Sequence, residues 1–322
     1  MLHSINRWLN RMMPLITPVS IIIGVIFASR LSSLTYLTPW LFAFMTFVGS
    51  IGLGFKDFMN VLKKPLPLLV CLFILHLAMP LIAMAFGYFF YAGDIHMITG
   101  LILAATIPTG ISSFVWVSIY KGNIALTLSI ILIDTMLAPF IVPGVLSWLI
   151  GADVQLDVAA MMSSLFWMIV VPSLIGMALN EWSKGAIAPA WGSKLNPFSK
   201  LMMASIVAIN GSVVAPYLKN ISLRLAGLAV IIIVIASIGY LLGLGFSRLM
   251  GWNYADKVAL IFNGGMRNIS AGAVLAVTYF PAPVAVPVVL GMLFQQTLAS
   301  LVGFLLGRHA QTHKHSHIAS AS

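Results

Sequence analysis

Charge is what this chain has least of: Asp, Glu, Lys and Arg together make up 7% of its 322 residues, against about 25% in an ordinary soluble domain. Together with 61% hydrophobic residues and a mean hydropathy of +1.05, that scarcity excludes a soluble globule. Acidic residues are the rarer sign, 7 Asp and Glu against 17 Lys and Arg, for a net charge of +10. No basic run carries interleaved aromatics, so the excess does not point to nucleic acid. In a polytopic membrane protein it collects on the cytoplasmic side, facing anionic lipid. Cysteine is reduced to Cys71, which leaves neither an intrachain disulfide nor a thiolate-ligated metal site. A nucleotide-binding glycine loop, an H-E-x-x-H helix and a G-x-S-x-G elbow are missing too. Their absence argues against a primary pump or an intramembrane hydrolase, so no enzyme and no resident cofactor are expected.

Long apolar runs supply the architecture instead. About 20 apolar residues make one membrane-spanning helix, and ten spans are read at about 14–29, 39–55, 67–91, 96–119, 124–149, 158–179, 198–217, 225–247, 257–279 and 284–306. Arg7 and Arg11 ahead of Pro14–Ser29 imitate a signal peptide. No small-residue cleavage pattern follows, and Arg30 comes instead, so an uncleaved first span is expected. With the N-terminus inside, Arg7, Arg11, Lys56, Lys63, Lys64, Lys121, Lys184, Lys194, Lys200, Arg248, Lys257, Arg308 and Lys314 lie on the inner side. Only Arg30, Lys219 and Arg224 fall outside, beside Asp94, Asp153 and Asp157, which is the asymmetry that orients membrane proteins.

The expected fold is therefore an all-α, multi-pass protein of the cell (plasma or inner) membrane with both termini cytoplasmic. Its parts are a cytoplasmic N-terminus over 1–13, a five-helix repeat over 14–149, a second over 158–307, and a disordered His-rich tail over 308–322. Because five is odd, the two repeats are oppositely oriented, the inverted-repeat design of many secondary transporters.

Two spans are interrupted at matching places, the fourth of each five. Span 4 contains Pro108, Thr109, Gly110, Ser112 and Ser113; span 9 contains Asn263, Gly264, Gly265, Met266, Arg267 and Asn268. Such breaks free backbone groups that hydrocarbon cannot satisfy, and they mark binding sites because half-helix ends present N–H groups to anions and C=O groups to cations. Pro80, Pro139, Pro143, Pro172 and Pro287 also lie within spans, without this polar company. Arg267 is the sharpest residue, since an arginine at the bilayer centre costs from about 2.5 to about 10 kcal/mol or more and needs a partner. Asp134, deep in span 5, is the expected partner or else a titratable or cation-binding group. His76 in span 3 reads first as a core histidine and second as a proton relay.

These residues resemble the bile acid:sodium symporters. Gly265-Met266-Arg267-Asn268 looks like that family's Glu-x-Gly-Met-Gln-Asn, Pro108 and Gly110 with Ser113 resemble its Pro-Gly-Gly-x-x-Ser-Asn, and Met79-Pro80 resembles its Gln-x-x-x-Met-Pro. The resemblance runs from about 14 to 307 and implies crossed broken helices 4 and 9 with a core and a panel domain. It also implies two sodium ions, yet the places of four oxygen-bearing family ligands read Asn263, Arg267, Leu75 and Phe114. Ser113, Thr127 and the backbone near Met266 remain as matching ion candidates. The expectation is a secondary transporter moving an organic anion, bile-acid-like or another carboxylate, by alternating access, with sodium coupling weak or absent. Its substrate site would use Arg267, Asn268, Asn263, Thr109, Ser112 and Ser113, and its coupling would run through Asp134, Ser113, Thr127, Asn263, Met266 or His76. The alternatives are sodium symport through a rearranged ion site, and proton coupling or exchange through Asp134. The partners expected are the small anion and the lipid bilayer.

Overall fold

The computed structural model of the chain describes residues 16–54, 65–151, 157–218 and 222–319, the side chains of 193 and 307–319 excepted. The N-terminal segment 1–13 and the charge assignments at Arg7, Arg11, Lys56, Lys63, Lys64, Asp153 and Lys219 lie outside the described residues. Among those described, every regular element is helical and none is a strand, as follows from a solvent that offers the backbone no hydrogen bonds.

The helices are α1 (Ile16–Ile26), α2 (Ala28–Ser50), α3 (Pro65–Phe90), α4 (Ile95–Thr106), α5 (Ser112–Ile119), α6 (Ile124–Ile150), α7 (Val158–Trp182), α8 (Ser193–Val213), α9 (Ala215–Leu218), α10 (Leu223–Leu249), α11 (Tyr254–Gly265), α12 (Ile269–Tyr279) and α13 (Ala282–Ala319). Among the described residues, seven stretches are long and apolar enough to cross a membrane: α2, α3, α6, α7, α10, α11 with α12, and Ala282–Leu306 of α13. Of the other three expected spans, 14–29 is represented by the shorter α1, 96–119 is divided between α4 and α5, and 198–217 falls mainly in α8, which carries Lys194 and Lys200. The backbone of α13 continues as helix to Ala319, where the sequence reading expects a disordered tail; beyond Gly307 there is no Pro or Gly to stop it.

Side-chain caps start six of these helices. Asp94, Asn123, Asp157, Ser222, Asn253 and Asn268 each accept from a backbone N–H in the first turn, supplying what the helix N-terminus lacks. Proline shapes the interiors. Ahead of Pro80 and of Pro172 the helix widens into a π turn, Ile74–Ala78 in α3 and Phe166–Val170 in α7, closed by Met79 N–H to Ile74 O and Val171 N–H to Phe166 O. The wider turn accommodates a ring that would otherwise collide with the carbonyl four residues back. In α3 it holds His76.

Packing places the broken segment at the centre. Of the most apolar stretch of α11–α12, 83% is buried, against 33% for α10 and 22% for α2. Small residues let the helices approach: a Cβ on Gly239 of α10 would lie 2.9 Å from Gly264 O, and one on Gly243 would lie 2.7 Å from Leu260 O. Without a hydrophobic force between helices in lipid, such close contact supplies the attraction. Around these breaks Ile74, Leu75, Ile102, Leu103, Ile107, Ile130 and Phe262 are fully enclosed.

Candidate functional site

The site grows out of the two interruptions. Helix α4 stops at Thr106 because Ile107, preceding a proline, is driven to extended geometry (φ −58°, ψ 147°). The chain resumes as α5 at Ser112. Helix α11 stops at Gly265, Met266 is extended (φ −100°, ψ 141°), and α12 begins after the Asn268 cap. The two interruptions lie against each other. Asn268 N–H donates to Pro108 O at 2.7 Å, and a Cβ on Gly110 would sit 2.8 Å from Arg267 O, so only glycine admits this approach.

Freed backbone groups then organise the side chains. Thr109 N–H donates to Asp134 Oδ2 at 2.6 Å, while its hydroxyl lies 3.0 Å from Asn263 O and 3.2 Å from Met266 O. The second oxygen of Asp134 meets His76 Nε2. Arg267 is 7% exposed. Its Nε donates to Ala105 O at 3.1 Å, its Nη1 to Gly264 O at 2.8 Å and to Met266 O at 3.3 Å, and its backbone N–H to Gln295 Oε1 at 2.9 Å.

The Arg267–Asp134 ion pair expected from the sequence is therefore not formed. Each of the two finds its partners in the broken backbone: the arginine takes carbonyls, and the carboxylate takes the Thr109 N–H and the imidazole. His76, read first as a core histidine, is the residue that reaches Asp134.

Asn263 is the second organiser. Its side-chain oxygen accepts from Ser113 Oγ at 2.9 Å, and its amide nitrogen donates to Ala259 O at 2.8 Å and lies 3.2 Å from Thr127 Oγ1. Thus Thr109, Ser113, Thr127, Asn263 and the Met266 carbonyl are brought together, with Asp134 and His76 beyond Thr109. Asn268 is spent on the contact with Pro108 and on the α12 cap, 3.4 Å from Ala271 N–H. Ser112, half-buried, opens α5.

Beside the crossing lies a cavity of about 60 Å³ bounded by α3, α4, α10, α13 and the second break. Arg267, Tyr240 and Gln295 face it among apolar neighbours that include Leu101, Ile232 and Phe294. Sequence reasoning passes over Tyr240 and Gln295. A lone tyrosine in the charge-free run of α10 reads as packing, and the glutamine pair 295–296 in an apolar span was the available signal for the latter.

Seven apolar stretches among the described residues, packed around an enclosed arginine and carboxylate, describe a polytopic membrane protein. The chain belongs to the SBF-like CPA transporter family, whose model matches residues 28–311, in keeping with the resemblance to bile acid:sodium symporters. It is 51% identical to the uncharacterised protein YbaS of Bacillus subtilis, over 92% of this chain and 97% of that one. The uncharacterised sodium-dependent transporter YocS of the same organism is 28% identical over 82% of this chain and 83% of its own. The probable chloroplastic sodium/metabolite cotransporter BASS1 of Arabidopsis thaliana is 26% identical over 87% of this chain and 70% of its own.

Proposed function

We propose that the protein is a secondary transporter of an organic anion, working by alternating access across ten spans in two inverted five-helix repeats. It resides in the cell membrane with both termini cytoplasmic, and its transport depends on Na⁺ weakly or not at all. One observation supports the last clause: internal donors already engage the groups that the resemblance would assign to cations. The Asn263 amide nitrogen donates to Ala259 O and faces Thr127 Oγ1, and the Arg267 guanidinium donates to the carbonyls of Gly264 and Met266. A hard cation needs those oxygens. A Na⁺ held on the Met266 carbonyl would also lie roughly 4 Å from the guanidinium, which at an effective dielectric of 20 costs about 4 kcal/mol, or about a thousandfold in affinity.

The test is uptake of a labelled organic-anion library by proteoliposomes in sodium buffer against choline buffer at constant pH. Similar uptake in both is expected, and Arg267→Gln should abolish it while the protein still folds. A rise of tenfold or more on adding Na⁺, saturating at millimolar concentration, would sink the sodium-independent reading. It would favour symport through a rearranged site, which the names of YocS and BASS1 support. A second coupling mode rests on the His76–Asp134 contact, a buried carboxylate against an imidazole, the residue types from which proton relays of pumps and transporters are built. Uptake that follows an imposed pH gradient in choline buffer, and is lost in Asp134→Asn, would establish it; indifference to the gradient would remove it.

A further inference from the structure

Five N–H donors leave an arginine side chain in a fixed fork, and in Arg267 three backbone carbonyls take only those on Nε and Nη1. Nη2 is buried and has no hydrogen-bond partner. Nor does a carboxylate approach the guanidinium directly among the described residues, for the oxygens of Asp134 are committed to His76 and Thr109. Tyr240 repeats the pattern. Its side chain is 3% exposed, and its hydroxyl is buried without a partner. A buried donor left unmade costs about 1–3 kcal/mol, more when charged. The two side chains that carry these donors line one cavity.

We infer that this cavity is a binding site for a short-chain monocarboxylate of about two to four carbons. Its oxygens are taken by Arg267 Nη2 and the Tyr240 hydroxyl, and its alkyl end lies against Leu101, Ile232 and Phe294. The inference rests on the organic-anion reading above and narrows it. Size decides the class. One water needs about 10–15 Å³ of such space, so about 60 Å³ admits roughly four to six non-hydrogen atoms, and a steroid carboxylate is several times too large. Charge decides the rest. One guanidinium with one hydroxyl matches a single carboxylate, whose charge-assisted hydrogen bonds are about twice as strong as neutral ones.

Gly291 offers a way to change the cavity without disturbing its donors. It borders the cavity, and a Cβ there would come no closer than 3.5 Å to Ile269 and 3.9 Å to Ile232. Gly291→Ala thus adds one methyl to the space and favours the helix.

The experiment is equilibrium binding of radiolabelled propionate to the purified full-length protein in nanodiscs, with unlabelled acetate, butyrate, hexanoate, cholate and chloride as competitors. Propionate should bind saturably. Tyr240→Phe, which removes one oxygen from an otherwise unchanged ring, should weaken it by about tenfold or more, and Gly291→Ala should shorten the longest competing acid by one carbon. No saturable binding to the wild type overturns the inference, as does wild-type behaviour in both variants. Chloride displacing propionate as well as acetate does would assign the site to a halide and overturn the carboxylate class. Failure here and failure of the transporter reading are separable. Arg267-dependent exchange of larger anions without propionate binding leaves transport standing and removes this site. Propionate binding with the expected variant pattern, but without exchange of any anion in proteoliposomes, keeps the site and removes transport.

Discussion

Replacing Asp134 by asparagine tests the whole construction of the crossing. The carboxylate is fully buried, accepts from Thr109 N–H at 2.6 Å, and meets His76 Nε2 with its other oxygen. An amide keeps one acceptor, so one of the two donors loses its partner, and the negative charge beside the imidazole goes too. Removing one partner of a buried pair costs about 3–5 kcal/mol. With an unfolding entropy of about 2.1 cal/mol/K per residue, 322 residues carry about 0.7 kcal/mol/K, so the melting temperature should fall by about 4–7 °C. The fall should be larger where helices stay in the bilayer on unfolding, because less entropy is then released. The double variant His76→Leu with Asp134→Leu removes both polar partners and orphans only the Thr109 N–H, worth about 1–3 kcal/mol, so it should melt above either single variant. Cys71 supplies the assay, since its thiol is the only one and is fully buried. A thiol-reactive dye reports its exposure on heating. An Asp134→Asn protein melting within 1 °C of wild type, or a double variant as impaired as the sum of the singles, would refute the reasoning.

Further outcomes follow from the same geometry. Gly265→Ala would bring a Cβ to 2.3 Å from the Tyr240 ring, whereas Gly264→Ala finds nothing nearer than 3.5 Å. By the same dye assay the first should cost about 1–3 kcal/mol, and the second should melt close to wild type; equal melting would contradict the placement of Tyr240. For topology, cysteines replacing the exposed Ala92 and Trp191 should differ, the first labelled by impermeant maleimide outside the cell and the second protected; the reverse pattern would invert the orientation. Sodium independence should appear as matching uptake in sodium and choline buffers, as set out above.

Much of this molecule is legible in its composition, because bilayer thickness and backbone satisfaction leave helices as the form for an apolar chain. Local punctuation is legible as well: Pro108 announces where α4 stops, and Pro80 where α3 widens. Pairing is harder. Arg267 invites a search for an acidic residue, yet a break releases carbonyls, and carbonyls carry no letter in a sequence. His76 lies 58 positions from Asp134 and meets it from a π turn, whose extra residue shifts the helix face in a way a 3.6-residue period does not anticipate. Tyr240 shows a similar blindness, since an aromatic among aliphatic neighbours looks like packing until its hydroxyl is found without a partner.

The asparagine that caps α6 also fixes the order in which the protein can be completed during synthesis. Asn123 donates from its amide to Asp256 at 2.6 Å and from its backbone to Ala255 O at 2.9 Å, and at Asp256 it meets Asn253, the cap of α11. These partners are 133 residues apart. At about 5–20 residues per second the ribosome needs about 7 to 27 s to deliver the second after the first. In that interval the early half must wait in the membrane with its own means. Thr109 N–H already has Asp134, from the same half, so the donor at the first break is satisfied at once. The Pro108 carbonyl stays open until Asn268 arrives. A nascent chain halted between the two would thus be caught with the Pro108 and Ala105 carbonyls and the Thr109 and Ser113 hydroxyls still without their later partners, the state most open to capture by insertion factors or proteases.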